Sequence, residues 1–251
     1  MLPISFSIVI PTLNEEENIT NLLDSIAHQS YRQFEVLIND SGSKDRTKEL
    51  VNSYASKLPK LTFIEYITQN VSGARNHGAS LASYEWIVFF DADVTMESAF
   101  LQKMKDHIEQ NNLDMCTVWN RPKPKNFRGS LVFGLMNIGI SLLQKIKPAA
   151  NGPCILMKKS LFQSIGGFDE TIIFGEDYEI VRRAWKTTKH FAVFTTPYLF
   201  VSTRRFDKEG VALSLYKAIT ALLYQLFVGP VRKPLFKYEM GGQYYKKDKV
   251  P

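Results

Sequence analysis

Residues 86–94 read Trp-Ile-Val-Phe-Phe-Asp-Ala-Asp-Val, an apolar run that ends in two aspartates separated by one alanine. A short β-branched and aromatic run of this kind is consistent with a strand buried on both faces of a sheet. The aspartates then fall where the strand leaves the sheet, the edge at which open α/β sheets bind ligands. Two carboxylates so placed repel each other and are costly to desolvate unless a cation or hydrogen-bond donors join them. A divalent ion carrying a diphosphate would do so. The local alternative is that Asp91 and Asp93 cap a helix starting near Glu97.

Working outward, Phe6–Pro11, Phe34–Asn39 and Leu61–Tyr66 have the same strand character. Helical segments separate them at Glu15–Gln29, Asp45–Ala55 and Val71–Ala82. The first of these carries Ile19, Leu22, Leu23 and Ile26 on one face. Beyond the opening stretch, Ala99–Glu109 reads as a helix and Asp114–Val118 as a fifth strand. Strands alternating with helices predict parallel pairing, helices on both faces of the sheet and right-handed crossovers. The polar strand endings Pro11-Thr-Leu-Asn-Glu, Asp40-Ser-Gly-Ser and Asp91-Ala-Asp therefore share one edge.

The second half has a different rhythm. Arg121-Pro-Lys-Pro-Lys reads as a linker, followed by the largely apolar Ser130–Lys147. Then come a short strand at Cys154–Met157, a Gly166-Gly-Phe-Asp turn, a helix over about Asp177–Trp185 and strand-like stretches at Phe191–Phe194 and Leu199–Thr203. Gly210–Gly229 is a second apolar stretch. Polar residues interrupt both apolar stretches, and neither provides the ~20 apolar residues of a spanning helix. They read as wide-faced amphipathic helices lying at a membrane interface or against the body, with a core or dimer contact as the alternative.

The chain has 251 residues, 45% of them hydrophobic and 22% charged, an ordinary globular composition with enough length for a sizeable core. The net charge of +6 is uneven: Arg232–Lys249 holds six basic residues against two acidic ones. Such a tail suits lipid headgroups or phosphates, or simply solubilises a terminus. Cys116 and Cys154 are too few for a metal cluster and sit in apolar contexts, as buried small hydrophobes do. No basic and apolar leader precedes the first strand, so the expectation is a cytoplasmic protein, peripheral on the cytosolic face of a membrane.

Several residues carry chemistry in this arrangement, each with a structural alternative. Glu15 can accept hydrogen bonds from a ribose or base, or stabilise a helix start. Asp40 can bind the ribose or base edge of a nucleotide, or form an Asx turn before Gly42. Arg75, in Gly73-Ala-Arg-Asn-His-Gly, can supply a positive donor near the aspartates, or lie on the surface. Asp177, in Gly175-Glu-Asp, is the candidate general base for transfer to a hydroxyl, or part of ordinary helix N-terminal acidity. Arg204 and Arg205 can clamp phosphate oxygens, or form a solvated basic pair.

Five segments in order resemble the family 2 glycosyltransferases of GT-A fold. They are Val9-Ile-Pro-Thr-Leu-Asn-Glu-Glu, Asp40-Ser-Gly-Ser-Lys-Asp-Arg-Thr, Gly73-Ala-Arg-Asn-His-Gly, Asp91-Ala-Asp, and Gly166-Gly-Phe-Asp-Glu with Gly175-Glu-Asp. The resemblance covers roughly residues 5–206. It implies a Rossmann-like, mostly parallel α/β sheet covered by helices, with a C-terminal acceptor-side region. It further implies a nucleotide-diphosphate sugar donor, inversion at the anomeric carbon and Mg2+ or Mn2+. Pro11, Leu13, Glu15 and Asp40 would surround the nucleoside. Asp91 and Ala92 would meet the donor, Asp93 and Asp91 the metal, and Asp177 would be the base. Arg204 or Arg205 corresponds loosely to a basic aromatic motif.

In this reading residues 1–120 bind the nucleotide sugar, 121–206 form the acceptor and catalytic half of the same domain, and 207–251 are an amphipathic helix and basic tail. Ser41 stands where many members have a second aspartate. Thr203-Arg-Arg-Phe lacks the Gln-x-x-Arg-Trp form of processive synthases, which implies transfer of single sugars. The expected partners are the donor, a glycan or lipid-linked acceptor and a membrane surface, with no nucleic acid. Two other classes fit the carboxylates: a sugar nucleotidyltransferase, for which the acidic Pro11–Glu15 loop is ill suited, and a non-catalytic scaffold of the same fold.

Overall fold

The computed structural model describes residues 3–68, 70–125, 127–150 and 152–236. In chain order the elements are β1 (Phe6–Thr12), α1 (Ile19–Ala27), β2 (Phe34–Asp40), α2 (Thr47–Asn52), β3 (Leu61–Glu65), α3 (Val71–Ser80), β4 (Trp86–Phe90), β5 (Val94–Thr95) and α4 (Phe100–Asn111). They continue as β6 (Met115–Lys123), α5 (Phe127–Leu143), β7 (Cys154–Lys158), α6 (Lys159–Ser164), α7 (Glu176–Thr187), β8 (Phe191–Ser202), α8 (Arg204–Glu209) and α9 (Val211–Phe227).

The strands form one eight-stranded sheet in the order β3-β2-β1-β4-β7-β6-β8-β5. The first four are parallel, with Phe6 opposite both Phe34 and Trp86. Parallel pairing stops at β7, which runs antiparallel to both β4 and β6 and sets Cys154 opposite Phe90. β6 and β8 are again parallel to each other, and β5 pairs antiparallel with β8. The sheet is therefore mixed, with a parallel majority. Because β7 is reversed, its starting end lies beside the finishing end of β4, and a loop from the second half reaches the edge formed by the first.

Strand side chains alternate between two cores. Ile8, Ile10, Trp86, Val88, Phe90, Cys116, Cys154 and Leu156 pack with α1 and α4 on one face. Val9, Ile87, Phe89, Met115, Ile155 and Met157 pack with α3, α6 and α7 on the other. Both cysteines are wholly buried, and burial pushes their thiols up from the ordinary range. Helix α3 lies close on the sheet because residue 78 is glycine: a Cβ there would sit 2.5 Å from Val9 Cγ1.

Three expectations are corrected. Arg121–Lys123 is no linker; it extends β6 opposite Phe200–Ser202. Among the described residues β7 pairs with β6 at Met115 and Cys116 alone, so Arg121–Lys123 have β8 on one side only, an edge position of the kind that tolerates a proline such as Pro122. Phe191–Phe194 and Leu199–Thr203 are one strand, β8, interrupted by an irregularity opposite Trp119. Helix α1 starts at Ile19 and not at Glu15, because residues 15–18 turn at the sheet edge, with the Asn18 and Ile19 N–H groups donating to the Glu15 carbonyl.

The two apolar stretches are helices, α5 and α9. Val132, Phe133, Asn137 and Ile140 of α5 face inward, whereas Leu131, Leu135, Ile138 and Leu142 are exposed. Among the described residues no helix is long and apolar enough to cross a membrane. Apart from Arg232 and Lys233, the basic residues of the tail lie outside the described residues.

Candidate active site

The ends of β1, β2 and β4 converge as their parallel register requires. Asp40 closes β2, and its carboxylate organises the adjoining loop. Oδ1 accepts from the Gly42 N–H at 3.0 Å and the Ser43 N–H at 2.7 Å. Oδ2 accepts from Thr12 Oγ1 at 2.8 Å and Ser43 Oγ at 2.5 Å. This is the Asx-turn geometry the sequence left open, and four donors occupy a carboxylate that is almost wholly buried. Asn14 adopts a left-handed φ of 53° and ties the β1 loop to the same turn, accepting the Lys44 N–H at 2.7 Å. Pro11 and Leu13 line this loop, half-buried.

Glu15 is buried, and Arg204 holds both its oxygens with bonds of 2.7 and 2.8 Å. The same guanidinium reaches Asp93, with Nε 3.1 Å from Oδ2. Arg204 can reach these acids because β5 pairs with β8, and the Ser202 N–H donates to the Asp93 carbonyl at 3.2 Å. Glu15, Asp93 and Arg204, expected as separate contacts to a donor, thus meet as one charged cluster. The Arg205 side chain lies outside the described residues.

Asp91 and Asp93 do not cap the following helix. The N-cap of α4 is Ala99, with no side-chain cap bond. Ala92 between them is buried. Asp91 Oδ1 accepts from Arg75 Nη2 at 2.7 Å, and Arg75 Nη1 donates to Glu176 Oε1 at 2.8 Å. Arg75 is no surface residue: its side chain is 3% exposed, and it sits 5.3 Å from the Phe168 ring centroid. Burial opposes its charge, but Asp91 and Glu176 outweigh burial and raise its pKa.

Asp177 follows Glu176 in the first turn of α7. Burial first, and then the Glu176 charge, push its carboxyl from 3.8 up to about 7, against the lowering effects of the Tyr178 N–H and Arg75. Its Oδ1 accepts the Tyr178 N–H at 2.9 Å. The loop entering β7 packs directly on it, since a Cβ at Gly152 would lie 2.7 Å from Asp177 Oδ2. The reversed β7 brings that loop to the edge, where the Asp91 N–H donates to the Pro153 carbonyl at 3.4 Å.

Sequence reasoning passed over Thr12, Asn14 and Ser43, whose polar side chains shape the edge, and over Gly152. The Asn-Glu pair straight after a strand was the available signal for Asn14. Gly152 had none, because its role depends on a residue 25 positions later in the chain.

Among the described residues no group of three or more His, Cys, Asp and Glu side chains is placed to hold a metal ion. Asp91 and Asp93 offer two carboxylates. That donor set suits Mg2+ or Mn2+ completing its shell with diphosphate and water oxygens, and does not suit a metal held by protein groups alone.

The family model described as glycosyl transferase family 2 matches residues 7–166. The amylovoran biosynthesis glycosyltransferase AmsB of Erwinia amylovora is 29% identical over 221 residues, covering 78% of this chain and 69% of AmsB. The uncharacterized glycosyltransferase EpsJ of Bacillus subtilis (strain 168) is 32% identical over 115 residues, covering 46% of this chain and 33% of EpsJ. The chain thus spans about a third of the length of EpsJ. Among solved structures, S. aureus TarS 1-349 in complex with UDP matches with a TM-score of 0.65 at 22% identity, over 82% of this chain and 63% of that one. The mannosyltransferase PcManGT of Pyrobaculum calidifontis, in complex with GDP-Man and Mn2+, matches with a TM-score of 0.68 at 21% identity, over 86% and 64%. At these identities the structural likeness is one of fold.

Proposed function

This chain belongs to glycosyl transferase family 2, and from that premise we propose that it moves one sugar from a nucleotide-diphosphate donor to a hydroxyl of a glycan or lipid-linked acceptor, with inversion. The observation that carries the reading is the place of Asp177: it follows Glu176, which Arg75 joins to Asp91 at the sheet edge, and the Gly152 loop packs on its carboxyl. Burial and the Glu176 charge push that carboxyl up to about 7, which suits a group that takes a proton near neutral pH.

In this mechanism the nucleoside lies against Pro11, Leu13, Glu15 and Asp40, and Asp91 and Ala92 meet the donor. Asp93, with Asp91, would hold Mg2+ or Mn2+, which when bound neutralises the diphosphate and makes it a better leaving group. Asp177 takes the proton of the acceptor hydroxyl as that oxygen attacks the anomeric carbon from the face opposite the nucleotide. The transition state is oxocarbenium-like, as in glycoside hydrolysis. Arg204, which spans Glu15 and Asp93, would hold these acids in place beside the donor, and Arg205 is the residue proposed to supply positive charge towards the departing diphosphate.

Residues 1–120 serve the donor, 121–206 the acceptor, and α9 with the tail a membrane surface. The exposed Leu131, Leu135 and Leu142 on α5 and Tyr216 and Phe227 on α9 support a peripheral location at a membrane surface, which in this reading is the cytosolic one. Thermal-shift measurements with UDP- and GDP-sugars, with and without manganese, test the donor assignment, because a ligand stabilises by mass action. A metal-dependent rise with nucleotide sugars is expected. No shift with any of them, or release of pyrophosphate from a nucleoside triphosphate and a sugar 1-phosphate, would refute it.

A further inference from the structure

We propose that Arg75 is a positioning residue that locks the donor side of the site to the base side, holding Asp91 and the first turn of α7 with one guanidinium and not touching the donor itself. The inference rests on the transfer reading above for its kinetic consequence, though not for its geometry. Nη2 is 2.7 Å from Asp91 and Nη1 is 2.8 Å from Glu176, the residue next to Asp177. These partners lie 16 and 101 residues away in the chain, on opposite halves of the fold. The guanidinium is buried, and its two Nη atoms are engaged by protein carboxylates.

The helix that carries Arg75 is held at several points. Asn70 caps α3 by accepting the Gly73 N–H at 2.7 Å, and its amide donates to the Glu170 carbonyl at 2.9 Å. Asn76 is bonded in both directions to the Phe168 backbone, at 2.8 and 2.9 Å. The helix that carries Arg75 is thus tied to the 168–170 turn, and that turn supplies the ring beneath the guanidinium. Arg75 Nε is buried with no partner among the described residues, so the side chain is not the one that best satisfies a core. Buried ion pairs are weak contributors to stability, and fixing one arrangement of charges is the use that remains. Asp91, Glu176 and Asp177 would otherwise gather with their repulsion uncompensated.

The test compares Arg75→Gln, Arg75→Lys, Glu176→Gln and the double variant Arg75→Gln/Glu176→Gln in the full chain. In Arg75→Gln, kcat is expected to fall about 100-fold while the donor KM moves less than about 3-fold, because misplaced reacting groups cost rate more than binding. Arg75→Lys should recover part of kcat. The double variant should be no slower than Arg75→Gln, since one linkage is broken in both. A donor KM that rises in step with the lost activity, or additive losses, would overturn the proposal.

Deuterium exchange at amides 176–179 of the unliganded protein is read alongside. It should speed up in Arg75→Gln, and an unchanged rate there also overturns the proposal. If wild-type protein transfers no sugar yet the exchange responds, the transfer reading fails and the linkage stands. Glu176→Gln, which leaves the Arg75–Asp91 pair intact, carries the comparison if Arg75→Gln does not fold.

Discussion

Replacing Asp177 with asparagine should destroy activity and make the protein more stable, with the gain confined to neutral and alkaline pH. The carboxyl titrates at about 7 in the folded chain against 3.8 for the ordinary group. Between those values the folded state holds a proton that the unfolded chain has released, so wild-type stability falls as pH rises through the window and levels off above it. A shift of roughly three units sets a ceiling of about 4 kcal/mol at ~1.36 kcal/mol per unit. Asp177 is only half-buried, and solvent screens part of this, which leaves about 1–3 kcal/mol. Asparagine has the shape of the protonated acid, and its Oδ1 can still accept the Tyr178 N–H. Urea unfolding of both proteins at pH 4 and pH 8 reads the difference directly. The two should be nearly equal at pH 4, with the variant ahead at pH 8, while its transfer rate drops about 100- to 10,000-fold through loss of the base. A variant no more stable than wild type at pH 8, or equally favoured at both pH values, would refute the account of Asp177.

Gly152→Ala should lower kcat with little loss of stability, because the new Cβ would press on Asp177 Oδ2 from 2.7 Å; an unchanged kcat would show that the loop yields instead. Gly78→Ala should cost about 1–3 kcal/mol through overpacking against Val9, measurable as a lower Tm, with donor affinity kept. Glu35 is fully buried and accepts from Ser7, Ser83 and Lys60, so Glu35→Ala strands the buried Ser7 hydroxyl, removes the tie to Lys60 and Ser83, and should cost about 1–3 kcal/mol in urea unfolding. Burial opposes ionisation of Glu35, yet Lys60, Ser83 and Ser7 outweigh it and lower its pKa. Its stabilising share is therefore full above the ordinary value of 4.5 and lost as pH falls below it, a loss that Glu35→Gln should abolish.

The Glu15–Arg204 and Asp91–Arg75 contacts mark how much of the site could be read in advance. All four residues were visible as candidates because each sits at a strand end, a helix start or a short motif with local chemistry. Their pairing was not visible. Arg204 was expected to face phosphate oxygens, and in the folded chain it spans Glu15 and Asp93; Arg75 was expected to meet a donor, and its Nη groups meet two protein acids. The Pro-rich Arg121–Lys123 segment illustrates the same limit for the fold. Its composition resembles a linker, and only the ladder to β8 makes it a strand.

Local chemistry was enough to place the parallel half of the sheet. Alternation of β-branched runs with amphipathic helices specifies which segments are strands, and parallel pairing of such strands collects Glu15, Asp40, Asp91 and Asp93 on one edge. The direction of β7, the reach of its Gly152 loop to Asp177 and the choice of a cation for each acid came only with the tertiary structure. Those features depend on residues up to 189 positions apart, and the energy of a charge pair or a close contact is set by distances in space that a linear pattern does not contain.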